Sequence, residues 1–274
     1  MKVGIIGVGR MGQTIAKLVI EDPGMDVVMA VDTVHNPNIG CDIGALVGKQ
    51  PIGVNVSDVA DIEKMIDESG VEVMIDFTIA DACFKNSKIL IEHGVNVVVG
   101  TTGLSDKQME SLEKLIKEKD TGAVISPNMS IGVNLFWRIV ENAARMLRNY
   151  DYDAEIIEAH HKFKKDAPSG TALKTADIVA GVMADEFSQA VYGRYGEAPR
   201  ASGEIGIHSI RAGDIVGEHT AIFGSIGDRI EITHRAHSRE TFARGAVEAA
   251  KFIHGKKGFY SMDDVLGMKD VLGI

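Results

Sequence analysis

From residue 3 to about 126, short apolar runs of β type alternate with stretches whose apolar residues recur every three or four positions. A parallel sheet with crossover helices produces that order. Val3 to Ile6, Asp26 to Val31, Val71 to Phe77, Val95 to Val99 and Ala123 to Ser126 read as its strands. Between them the pattern predicts a helix from about Arg10 to Ile20, with Met11, Ile15, Leu18 and Val19 on one face, and a short one marked by Ile62, Met65 and Ile66. A third stops at His93-Gly94, and a fourth carries Met109, Leu112, Leu115 and Ile116 behind a capping-box pair, Ser105 and Gln108.

The rhythm then changes. A helix from Val133 to about Arg148, with Trp137, Val140, Ala144 and Leu147 near one face, precedes a β-type run, Ala154 to Ala159. A second helix, with Leu173, Ala176 and Val179 on its apolar face, is followed by three β-type runs: Glu204 to Arg211, Asp214 to Phe223 and Arg229 to Arg235. Strands in succession predict an antiparallel or mixed sheet, and so a second domain of α+β type beside a Rossmann-type α/β domain. A final helix, Arg239 to Ile253, and a short tail are expected to return to the first domain. The expected division is 1–127 with 239–274 for dinucleotide binding, and 128–238 for substrate binding and oligomerisation.

The 274 residues suit two domains. With 29 Lys plus Arg against 39 Asp plus Glu, the net charge of -10 disfavours nucleic acid and anionic membranes as partners. Glycines and Arg10 interrupt the apolar start before a signal-peptide core is complete, and no window is long and apolar enough to span a membrane. Two cysteines, Cys41 and Cys83, define no disulfide framework and read as packing residues. A cytoplasmic location is the expectation.

Gly7-Val8-Gly9-Arg10-Met11-Gly12 follows the first strand and opens the first helix, and Asp32 ends the second strand. The glycines permit a tight turn, backbone approach to a pyrophosphate and close helix packing, while Asp32 can accept hydrogen bonds from a ribose diol. NADH is the preferred coenzyme on that reading, because Asp32 repels a 2'-phosphate and Thr33, not an arginine, follows it; NADPH remains possible through Arg10. Methyltransferases use related turns, so this segment alone also admits a transferase.

The densest polar stretch runs from Glu155 through His160, His161, Lys164 and Ser169 to Gly170 and Thr171, at a strand end and a helix start. Pro168 and Gly170 break the chain, and Ser169 can cap the helix. The Gly170 and Thr171 amides and the nearby lysines suit an anionic small substrate. A metal held by His160, His161 and Glu158 is the alternative, but no recognisable ligand spacing accompanies them, and no metal is expected.

With Asp76-Phe77-Thr78, Gly100-Thr101-Thr102-Gly103, Pro127-Asn128-Met129-Ser130, Arg211 to His219 and His237-Ser238-Arg239, these motifs resemble the dihydrodipicolinate (4-hydroxy-tetrahydrodipicolinate) reductases of lysine and diaminopimelate biosynthesis over essentially the whole chain. The resemblance implies hydride transfer from NADH or NADPH to a cyclic unsaturated dicarboxylate in a homotetramer built through the second-domain sheets. It makes His160 the general acid and Lys164 a proton donor or charge stabiliser, with His161, Ser169, Gly170, Thr171 and Thr102 as substrate contacts. Gly7, Gly9, Arg10, Met11, Gly12 and Asp32, then Gly100, Thr101 and Thr102, then Ser126, Pro127, Asn128 and Met129 become coenzyme contacts. The glycine turn is more compact than in many bacterial members.

His93 and His254 read as helix C-terminal residues. His208, His219, His234 and His237 fall among the later strands, where they either line the cleft or decorate a sheet face. Two other functions fit the architecture: a nucleotide sensor, for which no DNA-reading element is found, and another two-domain dehydrogenase, which gives no reason for the Lys164-to-Thr171 cradle.

Overall fold

The alternating apolar runs of the first half lie in one sheet because helices cover both of its faces. In the computed structural model, which describes residues 1–183 and 189–268, the chain divides into two compact units, Met1–Ile131 with Arg239–Ile274 and Gly132–Ser238. The first division falls after Ile131 rather than after residue 127, since Met129 is buried in the first unit's core and Ser130 Oγ meets Thr241 Oγ1 at 3.0 Å. Residues 269–274 of the expected first domain lie outside the described residues.

The first unit runs β1 (Lys2–Ile6), α1 (Arg10–Glu21), β2 (Asp26–Asp32), α2 (Ile43–Leu46), β3 (Val56–Asp58), α3 (Ile62–Ser69), β4 (Val73–Asp76), α4 (Ala80–Glu92), β5 (Asn96–Val99), α5 (Asp106–Lys119) and β6 (Gly122–Ile125). The second contains most of α6 (Ile131–Leu147), then β7 (Asp153–His160), α7 (Gly170–Met183), β8 (Gln189–Tyr192), β9 (Glu204–Arg211), β10 (Gly217–Ser225) and β11 (Asp228–Ala236). The chain then returns to the first unit as α8 (Glu240–Ile253), β12 (Gly258–Tyr260) and α9 (Met262–Val265).

Seven parallel strands form the first sheet, in the order β12-β6-β5-β4-β1-β2-β3. Strand alternation sends Val3, Ile5, Val73, Ile75, Val98 and Val124 to a core shared with α1 and α8, and Met74, Val97, Val99 and Ile125 to one shared with α3, α4 and α5. The capping box at Ser105 and Gln108 is present, and Gly94, at φ +78, follows the His93 cap of α4. Asn96 anchors the returning tail: its amide donates to the Ile253 and Lys256 carbonyls and its oxygen accepts from Gly122 N.

The second sheet is mixed, in the order β11-β10-β7-β9-β8. Strands β9 and β10 are consecutive in sequence yet not neighbours: β7 lies between them, parallel to β9 and antiparallel to β10. Apolar residues of α6 and α7 pack with Ile156, Ile207, Ala221 and Phe223, and this core includes Trp137.

Several sequence expectations need correction. Cys41 is exposed, while Cys83 is buried. The run expected from Asp214 to Phe223 starts at Gly217, because Gly213 at φ +49 bends the chain through Asp214. On α7 the buried stripe is Ala172, Thr175, Ala176 and Val179, and Leu173 is exposed because the stripe runs one residue ahead of it. The short elements α2, β3, β8 and β12 lie outside the strands and helices that the sequence pattern predicts.

Candidate active site

The loops leaving β1, β4, β5 and β6 all emerge at the carboxyl ends of a parallel sheet whose strand order reverses beside β1, where open α/β sheets take ligands. Gly7 has φ +88, and a Cβ on Gly12 would stand 2.0 Å from the Gly7 carbonyl oxygen, so α1 leaves the turn at a distance only glycine allows. At Gly9, the N-cap of α1, a Cβ would meet nothing within 4 Å. Among the described residues no neighbour fills that space beside the first α1 amides, and a pyrophosphate can approach there.

Asp32 closes the turn. Its carboxylate accepts from Val8 N at 2.6 Å, Thr33 N at 2.7 Å and Asn36 Nδ2 at 2.7 Å, so it shapes the loop. The Arg10 side chain is exposed. A cavity of about 250 Å³ opens nearby, lined by Met11, Phe77, Gly100 and Pro127 to Met129, with Arg239 and Phe242 from the returning segment. Gly100 is needed there, because a Cβ would lie 2.2 Å from the Phe77 ring. Thr101 is buried, with its hydroxyl on the Thr78 carbonyl, while Thr102 is exposed. Ser126 Oγ donates to the Asn128 carbonyl at 2.9 Å, which folds the loop after β6. The glycine cradle and this cavity fit a nicotinamide dinucleotide.

The second unit gathers the other chemistry where β7 ends and α7 begins. His160 Nδ1 lies 2.6 Å from Glu158 Oε2. Glu158 is fully buried, and it also receives Arg211 through Nη1 at 2.7 Å and Nη2 at 2.8 Å, and Ser169 N at 3.1 Å. Burial on its own would raise the Glu158 carboxyl, but the Arg211 guanidinium and His160 outweigh it and hold the group at about 2. Burial lowers His160 from its ordinary value, with the Glu158 carboxylate opposing that shift and Lys164 and Arg211 adding to it.

His219 comes from β10 to sit edge-on to His160, ring centroids 5.1 Å apart. Burial first, then the neighbouring His160, push His219 down to about 3, so it is neutral at ordinary pH. Its Nε2 lies 3.1 Å from Ser169 Oγ, which also accepts from Ala172 N as the α7 cap. Ser169, expected as a substrate contact, thus has its amide on Glu158 and its hydroxyl on His219.

Lys164 pairs with Asp166 at 2.9 Å in the connecting loop. Gly170 heads α7 with open space beside its Cα, while the Thr171 carbonyl accepts from Thr175 Oγ1 at 2.7 Å. His161 is half-buried, and its Nδ1 has no hydrogen-bond partner among the described residues. No group of three or more His, Cys, Asp or Glu able to hold a metal occurs among the described residues.

Sequence reasoning missed the structural roles of Glu158, Arg211 and His219. Glu158 and His160 are two apart on a strand, hence on one face, and that spacing was a usable signal. Of the later histidines, His219 and His234 share the face of Glu158 and His160, whereas His208 lies on the opposite face, paired with Glu155 at 2.7 Å.

No helix among the described residues is long and apolar enough to cross a membrane. The family described as dihydrodipicolinate reductase, N-terminus, matches residues 1–129, and its C-terminus counterpart matches residues 132–266. The chain is 47% identical to the 4-hydroxy-tetrahydrodipicolinate reductase of Methanocaldococcus jannaschii, covering 99% of each chain, and 48% identical to that of Methanosarcina barkeri, covering 98% of this chain and 100% of the relative. A dipicolinate-bound dihydrodipicolinate reductase from Paenisporosarcina sp. TG-14 is similar in structure, with a TM-score of 0.74, 27% identity, and coverage of 95% of this chain and 97% of that one. An amine dehydrogenase from Mycobacterium smegmatis, at TM-score 0.61 and 14% identity over 96% of this chain and 95% of that one, shares the fold. Matched along both units, the chain belongs to the dihydrodipicolinate reductase family, and it is an oxidoreductase of lysine and diaminopimelate biosynthesis that uses a nicotinamide nucleotide on a small-molecule substrate.

Proposed function

We propose that this chain reduces the cyclic dicarboxylate 4-hydroxy-tetrahydrodipicolinate to tetrahydrodipicolinate with His160 as proton donor, the first unit taking the coenzyme and the second the substrate. The carrying observation is the His160 ring: Nδ1 is held by the buried Glu158 carboxylate, which leaves Nε2 for a substrate. Once the substrate's hydroxyl has left as water, a conjugated imine remains to be reduced. The bound coenzyme supplies a hydride, that is, two electrons and one hydrogen, to one end of the unsaturated system.

The chain's own residues do the rest. His160 gives its Nε2 proton to the atom where negative charge develops, so that one hydride and one proton are added in all. Lys164 steadies that charge or assists the proton's delivery. A substrate carboxylate lies at the start of α7 against the Gly170 and Thr171 amides, with His161 orienting the ring and Thr102 adding a contact. On the coenzyme side, Gly7, Gly9, Arg10, Met11 and Gly12 hold the pyrophosphate, while Gly100, Thr101, Thr102 and Ser126 to Met129 hold the nicotinamide.

The Asp32 carboxylate favours NADH, because a 2'-phosphate would bring a second anion beside it. The open face of the second sheet, with Ile210 47% exposed and Ile157 and Ile222 half-buried, supports assembly of a homotetramer. We place the enzyme in the cytoplasm with its small-molecule pathway. Coupled assay tests the reading: substrate made in place from pyruvate and aspartate semialdehyde by its synthase must drive loss of reduced nicotinamide absorbance, and the absence of turnover with either coenzyme would sink it.

A further inference from the structure

The four hydrogen-bond directions of the Glu158 carboxylate are all taken. Oε1 accepts from Arg211 Nη2 and Ser169 N, and Oε2 accepts from Arg211 Nη1 and His160 Nδ1. The group has no exposed surface, and a bidentate guanidinium on a carboxylate fixes its plane as well as its charge. A carboxylate so held can only accept, so His160 Nδ1 must carry a hydrogen whether the ring is neutral or charged. The exchangeable proton is thereby confined to Nε2.

Gly217 supplies an independent observation. It lies on β10, and its φ is not in the left-handed region, so its backbone does not call for glycine. A Cβ there would stand 3.1 Å from His160 Nε2, tighter than ordinary contact, so the absent side chain leaves room at the one ring atom that Glu158 does not hold.

We propose that Glu158, clamped by Arg211 and the Ser169 amide, is the positioning residue that fixes the tautomer and direction of His160, and that Gly217 keeps the proton-bearing Nε2 face open. This deepens the reading of His160 as proton donor and rests on it. Arg211 also donates to the Asp166 carbonyl at 2.6 Å, so the same guanidinium ties the Lys164-bearing loop to β7 and β9. Glu158 need touch no substrate to act in this way, as in other sites where a buried carboxylate orients a catalytic imidazole.

The groups facing His160 are Glu158 on β7, Arg211 on β9, His219 on β10, and Lys164 with Asp166 in the loop. Of these, Glu158 favours the imidazolium while Lys164 and Arg211 oppose it. Removing the Glu158 charge therefore lowers the pKa of His160. An acid that must be protonated to work then loses activity at lower pH.

Nitrogen-15 NMR of wild-type protein carrying labelled histidine reads the tautomer with no variant that must fold. The neutral His160 ring is expected as the Nδ1-H form, and an Nε2-H form in the wild type overturns the proposal. In Glu158→Gln, the falling alkaline limb of the kcat profile is expected to move about one pH unit lower, with kcat down about 10-fold or more and NADH affinity unchanged. Gly217→Val is expected to lower kcat with NADH affinity kept.

His160→Gln separates the proton-donor role of His160 from the positioning role of Glu158. If it retains kcat, the proton-donor reading fails. If it loses kcat while Glu158→Gln keeps the wild-type limb and tautomer, that reading survives and the positioning role of Glu158 is overturned.

Discussion

Arg211 grips Glu158 through both terminal nitrogens, at 2.7 and 2.8 Å, across two neighbouring strands of the second sheet. The pairing ties acid stability to the site. Glu158 is held at about 2 in the folded protein, below its ordinary 4.5, so its contribution is complete above pH 4.5 and is lost as pH falls toward 2. Linkage puts this at about 3 kcal/mol. Urea unfolding at pH 6 and pH 3 should show wild type losing more stability on acidification than Glu158→Gln; equal losses would remove the carboxylate from the account.

The glycine turn sets a second expectation. A Cβ at residue 12 cannot coexist with the Gly7 carbonyl 2.0 Å away, so Gly12→Ala must shift α1 or the turn. We expect a loss of about 1–3 kcal/mol in urea unfolding and weaker NADH binding by fluorescence titration. A variant with unchanged stability and NADH affinity would show that the close approach is not required.

How far the sequence disclosed these relationships follows from their range along the chain. The glycine turn, the Ser105–Gln108 box and the first-half strands are local patterns of known period, and they were legible. Short strands such as Val56–Asp58 and Gly258–Tyr260 carry too few residues to show alternation, and pairing with a neighbour defines them. The insertion of β7 between β9 and β10, and the meetings of Arg211 with Glu158 and His219 with Ser169, join residues about fifty to seventy positions apart that no local pattern connects. The motif offers His160 and Lys164 as candidates and the two-residue spacing points to Glu158, but the Arg211 and His219 contacts behind His160 lie beyond any local pattern.

On the proposed reading, coenzyme choice turns on Asp32. We expect kcat/KM to be higher with NADH than with NADPH, and Asp32→Asn to narrow the ratio by removing the charge while leaving an oxygen to accept from the Val8 amide. Equal or better kcat/KM with NADPH in the wild type would show that Asp32 does not discriminate.

Substrate contacts should divide by kinetic parameter. Lys164→Ala is expected to lower kcat and raise substrate KM together, since the proposed role of its charge covers both binding and reaction. Thr171→Val should act mainly on KM, because it stands at the start of α7, the proposed carboxylate site. Steady-state kinetics with saturating NADH would reveal the split, and a Lys164→Ala enzyme with wild-type constants would place the charge stabilisation elsewhere.

The central claim is that His160 protonates the substrate, and kcat measured for wild type and His160→Gln with enzymatically generated substrate and saturating NADH tests it most directly. Wild type should oxidise NADH in step with substrate, and His160→Gln should fall by roughly 100-fold or more while its NADH dissociation constant stays the same. A His160→Gln enzyme with near-wild-type kcat would contradict the account and move the proton donor to another side chain.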